Sequence, residues 1–543
     1  YADNDPTFNV IGWDSNYTRE PLSETEMREY VGHTVERVRE LAPRRILEIG
    51  AGTGLLMFPL AKDCEHYLAC DLSTVAIDQL RDLTRDRPGY DGLELRAQPA
   101  HDFTDIEPAS YDAVMLCSVV QYFPGISYLM TVIEGALKVL RPGGAIFLGD
   151  VRVLSLLPVF HASVQLYQAG ETLTAAGLQR RLREALQAEQ EMAVDPAFFA
   201  ALRSRFPAIS RVQIRPKRAT VHNEMTRFRA DVTLHVDGKP GTPIPPAAPR
   251  LNWTESPMTL ANIRTQLSEW DRSADHTLVI EGIANVRVQR ERATLKWLEN
   301  APAKSSVAEF RRELDAQPNF GLEPEDVSAV AEEIGVTVDL AQTGEDGTFV
   351  AVFRSGEATM LPPLELCPIP ETIQPWRTYA NHPLHEKLAR FLVPQVRNFL
   401  RERLPSHMIP ADFVVLKAFP QLPNGKIDRK SLPAPDRTPA SSIEDYVAPA
   451  NPTESKLVTI WMNVLGLEQV GVTANFFELG GHSLKATQVV SRIRQELGTE
   501  IALREMFNQP TIRELATEVA QRRRSEIVPL PRIPDAPDYP LSH

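Results

Sequence analysis

Cysteine is scarce in this chain: 4 among 543 residues, at positions 64, 70, 117 and 367, with no CxxC pair and no clustered histidines. That scarcity excludes a disulfide framework and a zinc site of ordinary spacing, and predicts free thiols and no metal. No window reaches the ~20 consecutive apolar residues of a membrane span. The opening YADNDPTFNV has neither a basic nor an apolar leader segment. The sequence therefore predicts a cytoplasmic protein with no membrane partner. Long Lys/Arg blocks are missing too, and 58 basic against 71 acidic side chains leave a net charge of −13. This argues against nucleic acid or anionic lipid as the main partner and leaves small molecules and proteins. The chain starts at Tyr1 rather than Met and stops in a proline-rich run, so it reads as a piece of something longer.

At about 150 residues per domain, this length predicts three or four folded units. Proline marks the seams: PGTPIPPAAP at 240–249, LPPLELCPIPETIQP at 361–375, LPAPDRTPA at 432–440 and VPLPRIPDAPDYPLS at 528–542. Boundaries are placed near 360, 445 and 525. Over the first 150 residues the apolar runs RRILEIG, HYLACDL, YDAVMLCSVV and GGAIFLGDV alternate with amphipathic stretches. This is a βαβ rhythm, hence a parallel sheet covered by helices. The runs at 211–219 and 228–236 are close enough to pair as an antiparallel hairpin that completes the sheet. Residues 258–355 again mix helix and strand and predict an accessory α/β layer.

The strand Ile46 to Ile49 runs into Gly50-Ala51-Gly52-Thr53-Gly54, where glycines let the backbone turn and approach a ligand. The spacing is GxGxG with Leu55 next, and no GK[ST] follows, so neither a full dinucleotide fingerprint nor a phosphate loop is present. A nucleoside without pyrophosphate fits better. Seventeen residues beyond Gly54, Asp71 ends an apolar run, which places a carboxylate at the neighbouring strand end for ribose hydroxyls. Alone, the loop reads equally as a tight turn.

The combination LEIGAGTGLL, CDLS, LCSVVQYFP and RPGG resembles class I S-adenosylmethionine-dependent methyltransferases over roughly the first 160 residues. FNVIGWDSNYTREPLS, SVVQYFPGISYL, GDVRVLSLLPVFHASVQLY and HNEMTRFRADV resemble the methyltransferase domains embedded in nonribosomal peptide synthetases, to about residue 355. The resemblance implies an α/β class I methyltransferase fold over residues 1–360, with a Rossmann-like seven-stranded sheet and an accessory α/β layer. It implies that Glu48 supports the methionine amino group of S-adenosylmethionine, that Gly50, Gly52 and Gly54 pass under the cofactor, and that Asp71 holds the ribose. Ala100, His101 and Asp102 fall where the family contacts adenine, although Asp102 reads equally as a solvated loop residue. Cys117, Ser118, Gln121 and Tyr122 follow the fourth strand, with Cys117 where relatives often have Asn.

Asp150, Arg152, His161, Asn223 and Glu224 are candidates to face the acceptor; if the run at 211–219 is parallel to the core strands, the loop 220–227 emerges at the glycine-turn edge and Asn223 and Glu224 line the pocket. Tyr122, Asn223 and Glu224 are expected to orient an amine, with Glu224 or His161 taking its proton. The bland alternatives are a packed His161, and Asn223 and Glu224 as polar residues of a hairpin turn.

Residues 361–445 contain LPSHMIPADFVVL and LPNGKIDRKSL, which resemble the last core motifs of amino-acid adenylation domains on their small α+β C-terminal subdomain. There Lys426 would neutralise charge in adenylation, but only if a core is supplied from elsewhere, since none is recognisable here. Residues 446–525 hold four helical patterns around FFELGGHSLKA and resemble a peptidyl carrier domain. Ser483, opening a helix whose stripe is Leu484, Val489, Val490, Ile493 and Leu497, is then the attachment point for 4′-phosphopantetheine.

Residues 526–543 resemble a linker toward a condensation domain. The implied partners are a carrier-tethered aminoacyl substrate, the adenylation core and condensation domains of one assembly line, and a phosphopantetheinyl transferase. A methyltransferase placed just before the terminal adenylation motifs accompanies backbone N-methylation in this family. Methylation of O or C on a carrier-bound intermediate, and an inactive structural methyltransferase fold, are the alternatives.

Overall fold

The computed structural model describes residues 5–383 except 273–275, 318–319, 343–346 and 357–360, and residues 447–521 except 468–469, 477–478 and 480–482. Between 384 and 446 only isolated positions are described, so the adenylation-like motifs and Lys426 lie outside the described residues, as does the tail from 522. The chain divides into two compact units, Tyr1–Lys387 and Leu388–His543.

The first unit is built on seven strands: β1 (Arg45–Ile49), β2 (His66–Asp71), β3 (Leu93–Ala97), β4 (Tyr111–Cys117), β5 (Leu140–Arg152), β6 (Ile209–Pro216) and β7 (Arg229–Val236). Their order is β3-β2-β1-β4-β5-β7-β6. The pairs from β3 to β5 are parallel, whereas β7 is antiparallel to both β5 and β6. Two reversals leave β6 parallel to the core strands. The loop after β6 therefore emerges at the same carboxyl edge as the glycine turn after β1. This is the condition under which residues 220–227 could reach the site.

The period of two divides the apolar runs between two cores. Leu47, Ile49, Val114 and Leu116 face one side of the sheet, while Ile46, Ala113, Met115 and Cys117 face the other. The helices Met57–Ala61, Thr74–Thr84 and Ile126–Val139 form where the amphipathic stretches predict them. Ahead of β1, the helix Glu24–Arg39 opens with a capping box in which Ser23 and Glu26 satisfy each other's backbone donors. A cap of this kind is worth ~1 kcal/mol.

Past β7, the short β8 (Thr242–Pro243) leads to a second sheet of β9 (Arg250–Asn252), β10 (Thr277–Ile283), β11 (Thr337–Gln342) and β12 (Phe349–Arg354), in the order β11-β12-β10-β9. The helices Leu260–Glu269 and Pro324–Ile334 cover it through Ile263, Leu267, Val327 and Val330. This is the accessory α/β layer.

Beyond residue 360 the chain keeps contact with the first unit. β13 (Leu364–Glu365) pairs with β8, and Cys367, Tyr379 and Ala380 join the main core. Trp376 and Tyr379 set their rings against Phe198 at 5.9 and 6.1 Å. Residues 361–381 thus pack with the first unit, because their aromatic side chains find a buried partner there.

In the second unit the helices Pro452–Leu465, Ser483–Leu497, Glu505–Asn508 and Ile512–Gln521 enclose a core that includes Leu457, Trp461, Val489, Ile493 and Leu515. Leu484, expected in the buried stripe, is 67% exposed, and Ala486 takes the inward place. No helix among the described residues is long and apolar enough to cross a membrane.

Candidate active site

A cavity of about 320 Å³ opens at the carboxyl ends of β1 and β4 in the first unit, within the size range of small-molecule sites. The glycine turn forms its floor. Gly50 has φ +83° and Gly52 φ +54°, values that a side chain resists. A Cβ on Gly50 would strike Val119 Cγ2 at 2.2 Å, whereas one on Gly52 would meet nothing within 4 Å. The backbone of Gly52 therefore borders open space.

Asp71 braces the turn from β2. One carboxylate oxygen accepts the Gly52 N–H at 2.8 Å and the other accepts the Ser73 N–H at 2.8 Å. Asp71 stands just outside the cavity lining, as does Gly54. Ala100, His101 and Asp102 follow β3 and also stand outside it. The His101 ring meets Tyr128 Oη at 2.9 Å, and Asp102 accepts the Thr104 N–H at 2.9 Å; the Thr104 side chain first, then that N–H, keep its carboxyl below the usual range.

Glu48 lines the cavity from the end of β1 and is buried. Burial pushes its carboxyl up to about 7, against the lowering effect of the Tyr67 hydroxyl, which donates to it at 2.8 Å; Asp71 adds to the rise. Cys117 and Ser118 line the wall beyond β4. Burial lifts the Cys117 thiol well above its ordinary value. Ser118 sits at φ +54° and Asp150, at the matching end of β5, at φ +67°, so two non-glycine residues hold left-handed backbone beside one another. Ser118 Oγ donates to Asp150 at 2.7 Å and meets Tyr30 Oη at 2.8 Å, while Arg229 pairs with Asp150 at 2.5 Å. Burial alone would lower the Arg229 pKa, but Asp150, then Glu191 and Glu224, raise it above the ordinary value.

On the acceptor side, Glu224 lines the cavity and is buried. Its carboxylate accepts the Asn16 backbone N–H at 2.9 Å and the Asn16 side-chain amide at 2.7 Å. Tyr122, 70% exposed, stands at the rim with Ile11. Asn223 lies off the lining as the N-cap of the short helix Glu224–Phe228, accepting from Met225 and Thr226 and donating to Glu26 at 3.2 Å. Residues 220–227 are thus not a bare hairpin turn.

His161 is also placed off the lining. Its Nε2 meets Glu189 at 2.9 Å, and Arg152 pairs with both Glu189 and Glu191. Burial opposes ionisation of Glu189, but the bonds from His161 and Arg152 draw its carboxyl down to about 2. Asp150 is buried behind Ser118, and Arg152 borders a smaller cavity of about 10 Å³, room for about one water, that shares Glu224 and Arg229 with the larger one.

The structure adds Asn16, Tyr30, Glu191 and Arg229, which reach the site from the N-terminal segment, the first helix, the stretch before β6 and the start of β7. No local motif marks them. In the second unit, Ser483 is the first residue of its helix. The described residues hold no cluster of His, Cys, Asp or Glu suited to a metal ion.

Comparisons with known proteins agree with this division. Residues 47–146 match the family model of a methyltransferase domain, and residues 455–519 that of a phosphopantetheine attachment site. The chain is 40% identical over 528 residues to a chondramide synthase of Chondromyces crocatus, covering 96% of this chain and 13% of that protein. It is 33% identical over 534 residues to a probable non-canonical nonribosomal peptide synthetase of Salinispora arenicola, covering 96% of this chain and 6% of the relative. The chain thus spans a small part of the length of the curated relatives it matches. Among solved structures, one is titled as a phosphopantetheine transferase in complex with coenzyme A and a peptidyl carrier protein. The match is 49% identical and covers 14% of this chain and 100% of that one, with a TM-score of 0.14.

The methyltransferase fold implies S-adenosylmethionine, and the residues present suit it. Glu48 offers a buried carboxylate, Gly52 an unobstructed backbone, and Gln121, 4% exposed on the cavity wall, a side-chain oxygen without a partner. Taken together, the two family matches and the near full-length similarity identify the chain as a stretch of nonribosomal peptide synthetase that holds a methyltransferase domain and a phosphopantetheine carrier domain.

Proposed function

We propose that the first unit methylates the α-amino group of an aminoacyl thioester carried on 4′-phosphopantetheine at Ser483. The observation that carries this reading is the charge of the cavity. Glu48, Glu191 and Glu224 all line it, and the lining cation Arg229 is committed to Asp150. A wall of carboxylates favours a cationic donor and an amine acceptor over a hydroxyl or carbon acid.

Bound there, S-adenosylmethionine supplies an electrophilic methyl group. Glu48 is the carboxylate for its amino group, the Gly50–Gly54 turn and Asp71 bear its nucleoside side, and residues 100–102 and 117–118 border it. Tyr122 and Glu224 orient the acceptor amine, with Asn223 fixing the helix turn that carries Glu224. An α-amino group with pKa near 8 is about one-tenth neutral at pH 7, a shortfall of ~1.4 kcal/mol. Orientation can supply ~7–11 kcal/mol, so placing the amine outweighs removing its proton. Glu224, which lines the cavity and accepts from Asn16, is better placed to take that proton than His161, which stands off the lining with its ring engaged by Glu189.

The assembly-line partners follow from the same reading: a phosphopantetheinyl transferase for Ser483, an adenylation core to which residues 382–445 and Lys426 would belong, and a condensation domain beyond residue 526. The test is intact-protein mass spectrometry after loading Ser483 with aminoacyl-pantetheine groups and adding S-adenosylmethionine, with Ser483→Ala as the loading control. One methyl on the α-nitrogen, absent in Asp71→Ala, is expected. A methyl on oxygen or carbon, or none despite confirmed loading, would overturn the reading.

A further inference from the structure

The accessory α/β layer has no part in the site as described so far, yet it grips the segment that carries Glu224. Its agent is Arg287, in the turn Val286–Val288 between β10 and the helix Gln289–Asn300. The Arg287 side chain is fully buried. Its guanidinium donates to the carbonyl oxygens of Lys217, Ala219 and Thr226, the latter two at 3.4 Å, and to the carboxylates of Glu323 and Glu325, the last at 2.7 Å.

The grip continues around it. Glu325 also accepts the Ala219 N–H at 3.3 Å, Glu323 meets His222 at 3.3 Å, and Glu291 pairs with Arg227 at 2.9 Å. From the opposite side Glu29 accepts from Thr220 and Val221, and Glu26 from Asn223. These contacts hold the 217–227 backbone that carries Glu224, while Asn16 holds the Glu224 carboxylate itself. A planar fork spanning three carbonyls and two carboxylates is a task for Arg that Lys cannot repeat.

We propose that Arg287 is a positioning residue through which the accessory layer holds the 217–227 segment and sets Glu224 against the cavity. The inference rests on the methyl-transfer reading above for its consequence, though not for its geometry. The test compares the full chain with Arg287→Lys and, as a second and stronger change, Arg287→Met. Three quantities are read: amide hydrogen exchange, calorimetric affinity for S-adenosylmethionine, and single-turnover methylation on the loaded carrier.

In Arg287→Lys, exchange across 218–228 is expected to quicken at least tenfold while β1, β2 and β4 keep their protection. Donor affinity should stay within twofold, and the transfer rate should fall at least tenfold. Unchanged exchange in both variants, or loosened exchange with an unchanged rate, would overturn the proposal. So would a joint loss of sheet protection and donor affinity in both variants. If the wild type methylates oxygen or carbon, the amine reading fails, while the three readouts still decide the role of Arg287. If it methylates nothing, the exchange arm alone decides the positioning claim.

Discussion

Tyr67 donates its phenolic hydrogen to Glu48 at 2.8 Å, inside the sheet and directly beneath the cavity. That bond is not enough to keep Glu48 ionised, because burial pushes its carboxyl from an ordinary 4.5 up to about 7. A carboxyl raised in the folded state binds its proton more tightly there. Its contribution to stability is therefore complete below about pH 4.5 and is lost as pH rises through about 7. The ionised form pairs an ammonium group, so affinity for S-adenosylmethionine should rise about tenfold between pH 6 and pH 8. Calorimetry at the two pH values checks this, and Glu48→Gln should flatten the slope. An equal slope in that variant would assign the effect elsewhere.

The two glycines of the floor should respond differently to alanine. In Gly50→Ala the new methyl meets Val119 at 2.2 Å on a backbone with φ +83°. Overpacking of ~1–3 kcal/mol then adds to a left-handed cost of ~1 kcal/mol. In Gly52→Ala the methyl enters open space, so only the backbone cost of ~1 kcal/mol applies to the fold. Thermal unfolding should rank Gly50→Ala as the less stable. Donor affinity, measured on whatever remains folded, should fall further for Gly52→Ala than its small loss of stability accounts for.

Glu224 and His161 were matched candidates in sequence, and their placement separates them. Glu224→Gln keeps the shape and an acceptor for Asn16 but removes the charge at the cavity. Single-turnover methylation should drop at least tenfold, and by no more than the ~10²–10⁴-fold that positioned proton transfer supplies. His161→Ala removes a partner of Glu189 while Arg152 stays. Its rate should remain within about threefold of wild type, as expected of a group whose loss leaves the reacting atoms untouched. The reverse ranking would move the proton acceptor to His161.

What could be read in advance follows how local each feature is. The parallel sheet and the glycine turn were legible because each is written in contiguous residues, an apolar run followed by a breaker, whereas the expectation for Glu48 rests on the family resemblance. β3 shows no apolar run of its own, because LELR is half-buried and Ala97 exposed, so its place comes only with the family resemblance. His161, offered either as a proton acceptor or as a packed residue, stands off the cavity lining because of helical phase. Leu157 and Phe160 of the same helix border the smaller cavity, and one further residue turns about 100° away from it. Leu484 fails for a similar reason, since the stripe is carried by Ala486, Val489 and Ile493. Arg229, Glu191 and Asn16 come from segments brought together only by the fold. The packing of 361–381 on the first unit depends on Phe198, far away in sequence.

Gln121 makes the sharpest remaining test. It is 4% exposed and borders the cavity, its backbone carbonyl accepts the Met192 N–H at 2.7 Å, and its side-chain oxygen is buried without a hydrogen-bond partner. A buried polar atom left unpaired costs ~1–3 kcal/mol, a burden the free protein carries for no structural return. The return comes when a bound N–H group reaches that oxygen. Gln121→Met, close in volume and without the amide, should therefore leave thermal stability within about 1 kcal/mol of wild type or raise it, since no satisfied oxygen contact is lost. The same change should slow methyl transfer or weaken donor affinity about tenfold, the equivalent of one lost hydrogen bond to a charged group. Calorimetry and single-turnover kinetics on one preparation show which ligand loses the contact. A variant that melts earlier yet binds and transfers normally would make Gln121 a packing residue of the wall.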